Sequence, residues 1–271
     1  MTKNLDLSGL RSIADNYDLF YIDLWGVIHN GLKLNEDAIQ TLHHLKNLNK
    51  EFVLLTNAPR PNLPVQIFLN NMGMDKLLQK YVFTSGEAAL KFLKLNHNTE
   101  NFFHLGPPKD NDLFKEFTDN KKDKISEADY ILCTGLFENE EDLIYYKKFL
   151  ENYINKKMIC TNPDLIVDKG DKRELCAGSV AMVFEKLGGK VIYFGKPYAE
   201  VYNLSIENKN KRILSIGDNL NTDIKGANLL NYDSLLISNG IHKNEINEKG
   251  IKEISKQYET IVNYIQSDLK W

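Results

Sequence analysis

Residues 19–27 have the sequence LFYIDLWGV, in which four apolar residues end at an acidic one. A short apolar run bounded by polar or turn residues is typical of a buried strand. Similar runs recur along the chain, and longer segments with apolar residues at helical spacing lie between them. Because strands and helices alternate throughout, the sequence predicts an α/β protein with parallel sheets, ending in an amphipathic helix from Ile251 to Ile265. The predicted strands are Leu19–Ile22, Phe52–Leu55, Phe102–Leu105, Tyr130–Cys133, Met158–Cys160, Val191–Phe194, Ile213–Ile216 and Ser234–Ile237.

The composition argues against several classes of protein. Lys and Arg number 34 against 37 Asp and Glu in 271 residues, and the scattered basic residues and net charge of -3 argue against a nucleic-acid partner. Residues 1–15 lack a signal-peptide core, and no stretch has the roughly 18 uninterrupted apolar residues of a membrane span. Cys133, Cys160 and Cys176 form no CxxC motif and are typical of buried thiols in a reducing compartment. We therefore expect a cytoplasmic protein that binds neither nucleic acid nor a membrane.

Polar residues follow four of the predicted strands. In open parallel sheets, ligands bind outside the carboxyl ends of the strands, so these residues are the first candidates for a site. They supply two or three carboxylates, one ammonium group and one hydroxyl, which is the set that phosphate chemistry with a divalent cation requires. The residues are Asp23 after the first strand, Thr56 and Asn57 after the second, Lys196 after the sixth, and Asp218 with Asp223 after the seventh.

A carboxylate at such a site can attack phosphorus and form an aspartyl phosphate, which divides a difficult hydrolysis into two steps. The obstacle is repulsion between two anions, which a bound Mg²⁺ offsets through hard oxygen ligands. Asp23 and Asp218 would supply those ligands, with Asp223 as a further ligand or as a residue that orients them. Lys196 would add positive charge for the phosphoryl oxygens.

The ordered motifs resemble the haloacid dehalogenase superfamily of phosphatases, and the resemblance covers nearly the whole chain. Further motifs resemble class IIA, the branch similar to nucleotide and para-nitrophenyl phosphatases. The superfamily motifs are Asp23-x-Trp25-Gly26-Val27, Thr56-Asn57, Lys196 and Gly217-Asp218-x-x-x-Thr222-Asp223. The class IIA motifs are Leu55-Thr56-Asn57, Thr84-Ser85, Thr161-Asn162-Pro163-Asp164 and Gly195-Lys196-Pro197.

The resemblance implies a role for each motif residue and a domain plan. It implies a Rossmann-like parallel-sheet core of residues 1–82 and 190–271, with an α/β cap of residues 83–189 that closes over the site and reads the leaving group. Proteins of this class often pair through the cap, so the resemblance also allows a homodimer. The implied roles are Asp23 as nucleophile and Mg²⁺ ligand, Trp25 as a metal ligand through its backbone carbonyl, Thr56 and Asn57 as phosphate-holding groups, Lys196 as charge balance, and Asp218 as a metal ligand with Asp223 behind it.

Three further residues are candidates for substrate binding. Asn162 and Asp164 follow a predicted strand of the cap, where they either contact the substrate or build an Asx turn. Arg60 lies close to Thr56 and either contacts a second anionic group or is a solvated charge. The resemblance implies a small phosphorylated metabolite as substrate, with nucleoside monophosphates, phosphoglycolate, pyridoxal phosphate and sugar phosphates all left open.

The sequence departs from the phosphatase pattern at one position. The usual motif has a second aspartate two residues after the nucleophile, which protonates the leaving alcohol and later activates the water, whereas this chain has Trp25. An indole cannot act as a general acid near neutral pH, and losing such an acid costs about 10²- to 10⁴-fold in rate. Three alternatives follow: a substrate whose leaving group needs little protonation, a substitute acid such as His29, or a protein that binds a phosphometabolite without hydrolysing it. A phosphotransferase that passes the phosphoryl group from Asp23 to an alcohol is a further alternative.

Overall fold

A computed structural model describes residues 2–169, 172–206 and 210–271, which form two compact units. The first unit contains Met1–Thr56, Gln66–Phe83 and Ser205–Trp271, and the second contains Asn57–Val65 and Thr84–Leu204. This division differs from the boundary expected at residues 189 and 190. Residues 190–204 group with the second unit because the strand Lys190–Tyr193 pairs there with the strand Lys157–Cys160.

The described residues contain fourteen strands and ten α-helices. The strands are β1 (Lys3–Asn4), β2 (Leu19–Ile22), β3 (Glu51–Thr56), β4 (Val82–Thr84), β5 (Phe102–Leu105), β6 (Lys121–Lys122), β7 (Tyr130–Cys133), β8 (Lys157–Cys160), β9 (Ile166–Lys169), β10 (Lys172–Leu175), β11 (Lys190–Tyr193), β12 (Ile213–Gly217), β13 (Asp233–Ile237) and β14 (Tyr264–Gln266). The helices are α1 (Glu36–Asn47), α2 (Asn62–Asn71), α3 (Lys76–Gln79), α4 (Ser85–Asn96), α5 (Leu143–Leu150), α6 (Ala177–Lys186), α7 (Ala199–Ser205), α8 (Lys225–Leu229), α9 (Lys243–Lys249) and α10 (Ile251–Gln257). Among the residues that the structure describes, no α-helix is both long and apolar enough to cross a membrane.

The first sheet has seven strands in the order β1-β14-β13-β12-β2-β3-β4. The pairings described from β1 to β3 are all parallel, and Ile22 of β2 lies in register with Ile216 of β12 and Leu54 of β3. All four residues of β2 and all five of β12 are buried, as expected for central strands with apolar residues on both faces. Because neighbouring parallel strands in register end at the same edge, the residues that follow β2, β3 and β12 lie along one edge of this sheet.

The second unit has its own parallel sheet, in the order β11-β8-β7-β5-β6, and an antiparallel pair formed by β9 and β10. Its core contains fully buried Tyr146 of α5 and Phe184 of α6, which pack among the apolar residues of β7 and β8. The side chains of both helices close one face of the sheet and protect it from water. The predicted α/β class with parallel sheets is confirmed.

The prediction for the C-terminal segment is partly wrong. Helix α10 begins at Ile251 as expected but ends at Gln257, and β14 follows at Tyr264. Glu259 has a φ of 53°, a left-handed conformation that ends the helix, and the Thr260 N–H donates to the Ser255 carbonyl at 2.9 Å. The apolar residues after this turn are largely β-branched and favour a strand.

Candidate active site

Three carboxylates converge at the edge of the first sheet. Asp23 follows β2, Asp218 follows β12, and Asp223 lies in the π-helical turn Leu220–Ile224. One oxygen from each carboxylate lies within 4.8 Å of the others. The residues are only 8%, 6% and 1% exposed, respectively. Buried carboxylates at this separation repel each other strongly unless a cation or a proton intervenes.

Backbone amides orient two of these carboxylates. Oδ2 of Asp218 accepts a hydrogen bond from the N–H of Ile241 at 2.9 Å. Oδ2 of Asp223 accepts from the N–H of Asn219 at 3.2 Å, and the Asn219 side chain caps the same turn by accepting from the Asn221 N–H at 2.8 Å. Because backbone donors hold both side chains, the acidic cluster is built into the fold rather than formed by free surface residues.

Glycines leave the space that these carboxylates occupy. A Cβ at Gly26 would lie 2.1 Å from Oδ2 of Asp218, and a Cβ at Gly240 would lie 2.2 Å from the same oxygen. A Cβ at Gly217 would lie 2.0 Å from Cγ of Asp223. This cradle and its set of hard oxygen donors fit a divalent cation such as Mg²⁺.

A cleft of about 490 Å³ in the first unit is lined by Gly26 and Gly240, the two glycines that pack against the Asp218 carboxylate. Its walls include Gly26, His29 and Lys33 on one segment and Asn239 and Gly240 on another. A cleft of this volume is in the usual range for small-molecule sites.

Thr56 is the last residue of β3 and is buried, as expected for a group at the carboxyl end of a central strand. Asn57 directly follows it and begins the second unit. The Asn57 side chain donates to Oδ1 of Asp164 at 2.9 Å and to the Lys196 carbonyl at 3.0 Å, and its Oδ1 accepts from the Lys196 N–H at 2.7 Å. Three predicted site residues of the second unit are therefore joined directly, and Lys196 is only 3% exposed.

Asn162 forms the Asx turn that the sequence offered as one alternative. Its Oδ1 accepts from the backbone N–H of Asp164 at 3.0 Å. The turn presents the Asp164 carboxylate to the Asn57 amide. Within the second unit, the Asn162 side chain therefore binds a backbone group of its own turn. The Asp164 carboxylate binds the side chain of Asn57, which lies 107 residues earlier in the sequence.

Arg60 is paired rather than simply solvated. Its Nε donates to Oδ1 of Asp110 at 3.2 Å, and the two side chains are 34% and 3% exposed, respectively. Burial raises the pKa of Asp110, although the Arg60 guanidinium opposes that shift. Nearby, Nε2 of His104 lies 2.8 Å from Oγ1 of Thr134, and burial lowers the pKa of His104 to about 4.

The second unit thus contains a polar group formed by Arg60, His104, Asp110 and Thr134. The sequence analysis named only Arg60 among these residues. A signal was present, because glycine directly follows the strand end at Leu105 and again follows Thr134. A Cβ at Gly106 would lie 2.0 Å from Oγ1 of Thr134, so this glycine is required for the close approach.

Two family models match the chain, one described as haloacid dehalogenase-like hydrolase over residues 20–118 and the other as HAD-hydrolase-like over residues 193–266. A solved hydrolase of the haloacid dehalogenase-like family from Brucella suis 1330 is 30% identical to this chain. The comparison covers 87% of this chain and 94% of that one, with a TM-score of 0.78. The chain belongs to the haloacid dehalogenase-like hydrolase family. The first matched segment contains Asp23, Thr56 and Asn57, and the second contains Lys196, Asp218 and Asp223.

More distant relatives of this haloacid dehalogenase-like hydrolase include two whose names state an activity. The 5′-nucleotidase YutF of Bacillus subtilis (strain 168) is 22% identical over 240 residues, which are 84% of this chain and 90% of that protein. The p-nitrophenyl phosphatase from Archaeoglobus fulgidus is 18% identical, with a TM-score of 0.76 over 93% of this chain and 97% of that one. As predicted, the chain has relatives among the nucleotide and nitrophenyl phosphatases. Its likeness to the Archaeoglobus fulgidus protein extends over the whole fold.

The position where this hydrolase departs from the phosphatase motif follows β2 and precedes a short hairpin whose antiparallel bridge joins His29 to Leu34. Trp25 and His29 form a β-bridge, and the Gly26 N–H donates to the His29 carbonyl at 2.8 Å. The indole of Trp25 is half-buried and meets the His29 ring edge-on, with centroids 5.1 Å apart. Nδ1 of His29 accepts from the Gly31 N–H at 3.0 Å, and burial lowers the pKa of this histidine to about 4. His29 is therefore neutral at pH 7.

Proposed function

We propose that this hydrolase is a Mg²⁺-dependent phosphatase that acts on a small phosphorylated metabolite through an aspartyl phosphate on Asp23. The observation that carries the proposal is the convergence of Asp23, Asp218 and Asp223 within 4.8 Å at the edge of the first sheet. Family membership supports it, as do the activities named for the Bacillus subtilis and Archaeoglobus fulgidus relatives.

In this proposal, Asp23, Asp218 and the backbone carbonyl of Trp25 hold Mg²⁺, and Asp223 helps to fix the ligand positions. The bound ion supplies charge neutralisation, which lowers the repulsion between a carboxylate and a phosphate. The convergence of the three buried carboxylates supports this assignment, because closely spaced hard oxygen donors are the ligands that Mg²⁺ prefers.

The proposed reaction has two steps. An Asp23 carboxylate oxygen attacks phosphorus, the bond from phosphorus to the leaving oxygen breaks, and an aspartyl phosphate forms. Water then attacks the same phosphorus, which releases inorganic phosphate and regenerates the carboxylate. Thr56, Asn57 and Lys196 are proposed to hold the phosphoryl oxygens, as in the family pattern. Arg60, Asn162 and Asp164 stay as predicted contributors to substrate binding.

The decisive test is the substitution Asp23→Asn, which keeps the size of the side chain and removes the nucleophile. We expect Mg²⁺-dependent release of p-nitrophenol from p-nitrophenyl phosphate by the wild type and a loss of at least about 10³-fold in the variant. The matched control is Asp15→Asn, at an aspartate whose side chain is 96% exposed. Equal activity of Asp23→Asn and the wild type would remove the proposed mechanism.

A second candidate function is phosphometabolite binding without turnover, and the observation that favours it is Trp25. The acidic cluster would then hold a metal ion and a phosphate, while catalysis would be lost with the general acid. Calorimetry distinguishes the two candidates. Tight binding of a phosphometabolite in the presence of Mg²⁺, with no turnover over a broad phosphate panel and no phosphorylation of Asp23, selects the second.

A further inference from the structure

Position 25 carries a side chain that cannot release a proton near neutral pH, and the hairpin holds this side chain in place. The indole N–H is a hydrogen-bond donor only. The β-bridge to His29 fixes the backbone at Trp25, and the His29 ring packs edge-on against the indole at 5.1 Å. Gly31 closes against the far end of the ring, since a Cβ there would lie 2.7 Å from Cη2. The indole is therefore held in place against this hairpin.

His29, the substitute acid that the sequence offered, supports this arrangement. Its ring contacts Trp25 on one side and Phe68 on another, with the second pair of centroids 5.6 Å apart. Its Nδ1 accepts the backbone N–H of Gly31, and the residue is only 5% exposed. These contacts make His29 a positioning residue for the indole rather than a group poised beside a leaving oxygen.

We infer that the chain acts on phosphate compounds whose leaving group departs without a proton, namely acyl phosphates and phosphates of phenols or enols. Alkyl phosphates, such as sugar phosphates and nucleoside monophosphates, are poor substrates because an alkoxide is a strongly basic leaving group. This inference rests on the proposed function, since it concerns the first step of the reaction on Asp23. Of the three alternatives that the missing aspartate left open, it selects a substrate whose leaving group needs little protonation.

The chemistry balances without a general acid. The Asp23 oxygen forms its bond to phosphorus as the bond from phosphorus to the leaving oxygen breaks, and that electron pair leaves with the oxygen. A carboxylate or phenolate is stable in this form and exchanges protons with water afterwards. Water then cleaves the aspartyl phosphate, so the overall reaction consumes one water and yields inorganic phosphate and the free acid or phenol.

The test is a leaving-group series on the wild-type protein with Mg²⁺. The series contains acetyl phosphate, several substituted phenyl phosphates and glycerol phosphate, and kcat/KM is measured for each. We expect kcat/KM to fall steeply as the leaving group becomes more basic, with the alkyl phosphate at least about 100-fold below the phenyl phosphates. Equal values for alkyl and phenyl phosphates would overturn the inference.

Two substitutions at the same position sharpen the test. Trp25→Asp restores a carboxyl group, and we expect it to raise the ratio of alkyl to phenyl phosphate kcat/KM by about 10²- to 10⁴-fold. Trp25→Phe keeps an aromatic ring and adds no acid, so that ratio should stay at the wild-type value. An unchanged ratio in a folded Trp25→Asp variant would count against the inference, and the wild-type series decides it if that variant does not fold.

The inference and the proposed function fail in different ways. If alkyl and phenyl phosphates are hydrolysed equally well and Asp23→Asn abolishes both activities, the inference is wrong and the phosphatase mechanism stands. If acetyl phosphate is hydrolysed equally by the wild type and Asp23→Asn, the mechanism itself is wrong. A wild-type protein that turns over no member of the series, acetyl phosphate included, overturns both.

Discussion

His104 is a single residue whose surroundings make the stability of the second unit depend on pH. It is 7% exposed and packs edge-on against Phe114, with ring centroids 4.7 Å apart. Burial lowers its pKa to about 4, whereas an unfolded chain has a histidine pKa of about 6.5. The unfolded state therefore binds the proton more tightly. The stabilising contribution is complete above the unfolded pKa and is lost as the pH falls from about 6.5 to about 4.

We predict that His104→Gln reduces the loss of stability in acid. The wild type should lose about 2 to 3 kcal/mol more unfolding free energy than the variant between about pH 7.5 and pH 4.5, because only the wild type must protonate this buried ring on unfolding. Urea unfolding at both pH values measures the difference. Equal pH dependence of the two proteins would show that the ring is accessible to water in the folded state.

At the scale of elements, β14 is the segment that the sequence analysis assigned wrongly. Its attachment to β13 depends on Asn263, whose Oδ1 accepts from both the N–H and the Oγ–H of Ser234 at 3.0 Å. Ser234 is fully buried, and its N–H donates to this amide oxygen, whereas its hydroxyl also lies 2.9 Å from the Ile261 carbonyl. The side chain of a residue in the turn before β14 therefore fixes the position of that strand in the sheet.

We predict that Asn263→Ala lowers the free energy of unfolding by about 1 to 3 kcal/mol, because it leaves the buried N–H of Ser234 without that acceptor. Asn247→Ala, on the exposed surface of α9, is the control and should change it by less than about 0.5 kcal/mol. Chemical denaturation of the three proteins makes the comparison. A loss in Asn263→Ala no larger than in the control would mean that backbone pairing alone holds β14.

The central strands and their polar ends were predictable because both follow from local sequence. Burial on both faces requires a run of apolar residues such as Leu19–Ile22, and parallel pairing brings the next residues of neighbouring strands to one edge. The end of α10 was not predicted, because the helical spacing of apolar residues continues past Gln257. The left-handed turn at Glu259 overrides that pattern, and no glycine marks it.

The side-chain contacts of the site were harder to predict from the sequence than the strands were. Asn57 contacts Asp164 and Lys196 across 107 and 139 residues, and a pairing over such distances depends on the fold rather than on a local pattern. The pairing of Arg60 with Asp110 has the same cause. The motif resemblance named the three aspartates that the structure brings together, and the fold supplied hydrogen-bond partners for Asp218 and Asp223.

At the scale of the whole molecule, the proposed metal site would couple cation binding to folding. The three carboxylates come from β2 and from the segment after β12, so they meet only when the first sheet is formed. A cation that binds them therefore binds the folded state and stabilises it.

We predict that Mg²⁺ raises the melting temperature of the wild type and that EDTA reverses the effect. At a Mg²⁺ concentration about 100 times the Kd, the stabilisation should be about 2.7 kcal/mol. Asp218→Asn should show a much smaller Mg²⁺ effect, and Asp119→Asn, at an exposed position of the second unit, should respond like the wild type. Scanning calorimetry measures all three, and an equal response of Asp218→Asn would place the cation elsewhere.

The strand order also has a consequence for how the chain is made. Every strand of the five-stranded sheet lies within residues 102–193, whereas β2 in the first sheet needs β12, which begins at Ile213. A ribosome that has just added residue 193 has thus supplied every strand of the smaller sheet, whereas the larger sheet still lacks β12, β13 and β14. The aspartate at residue 23 is among the first parts of the site to be synthesised, and it must wait for the last quarter of the protein before its two acidic neighbours exist.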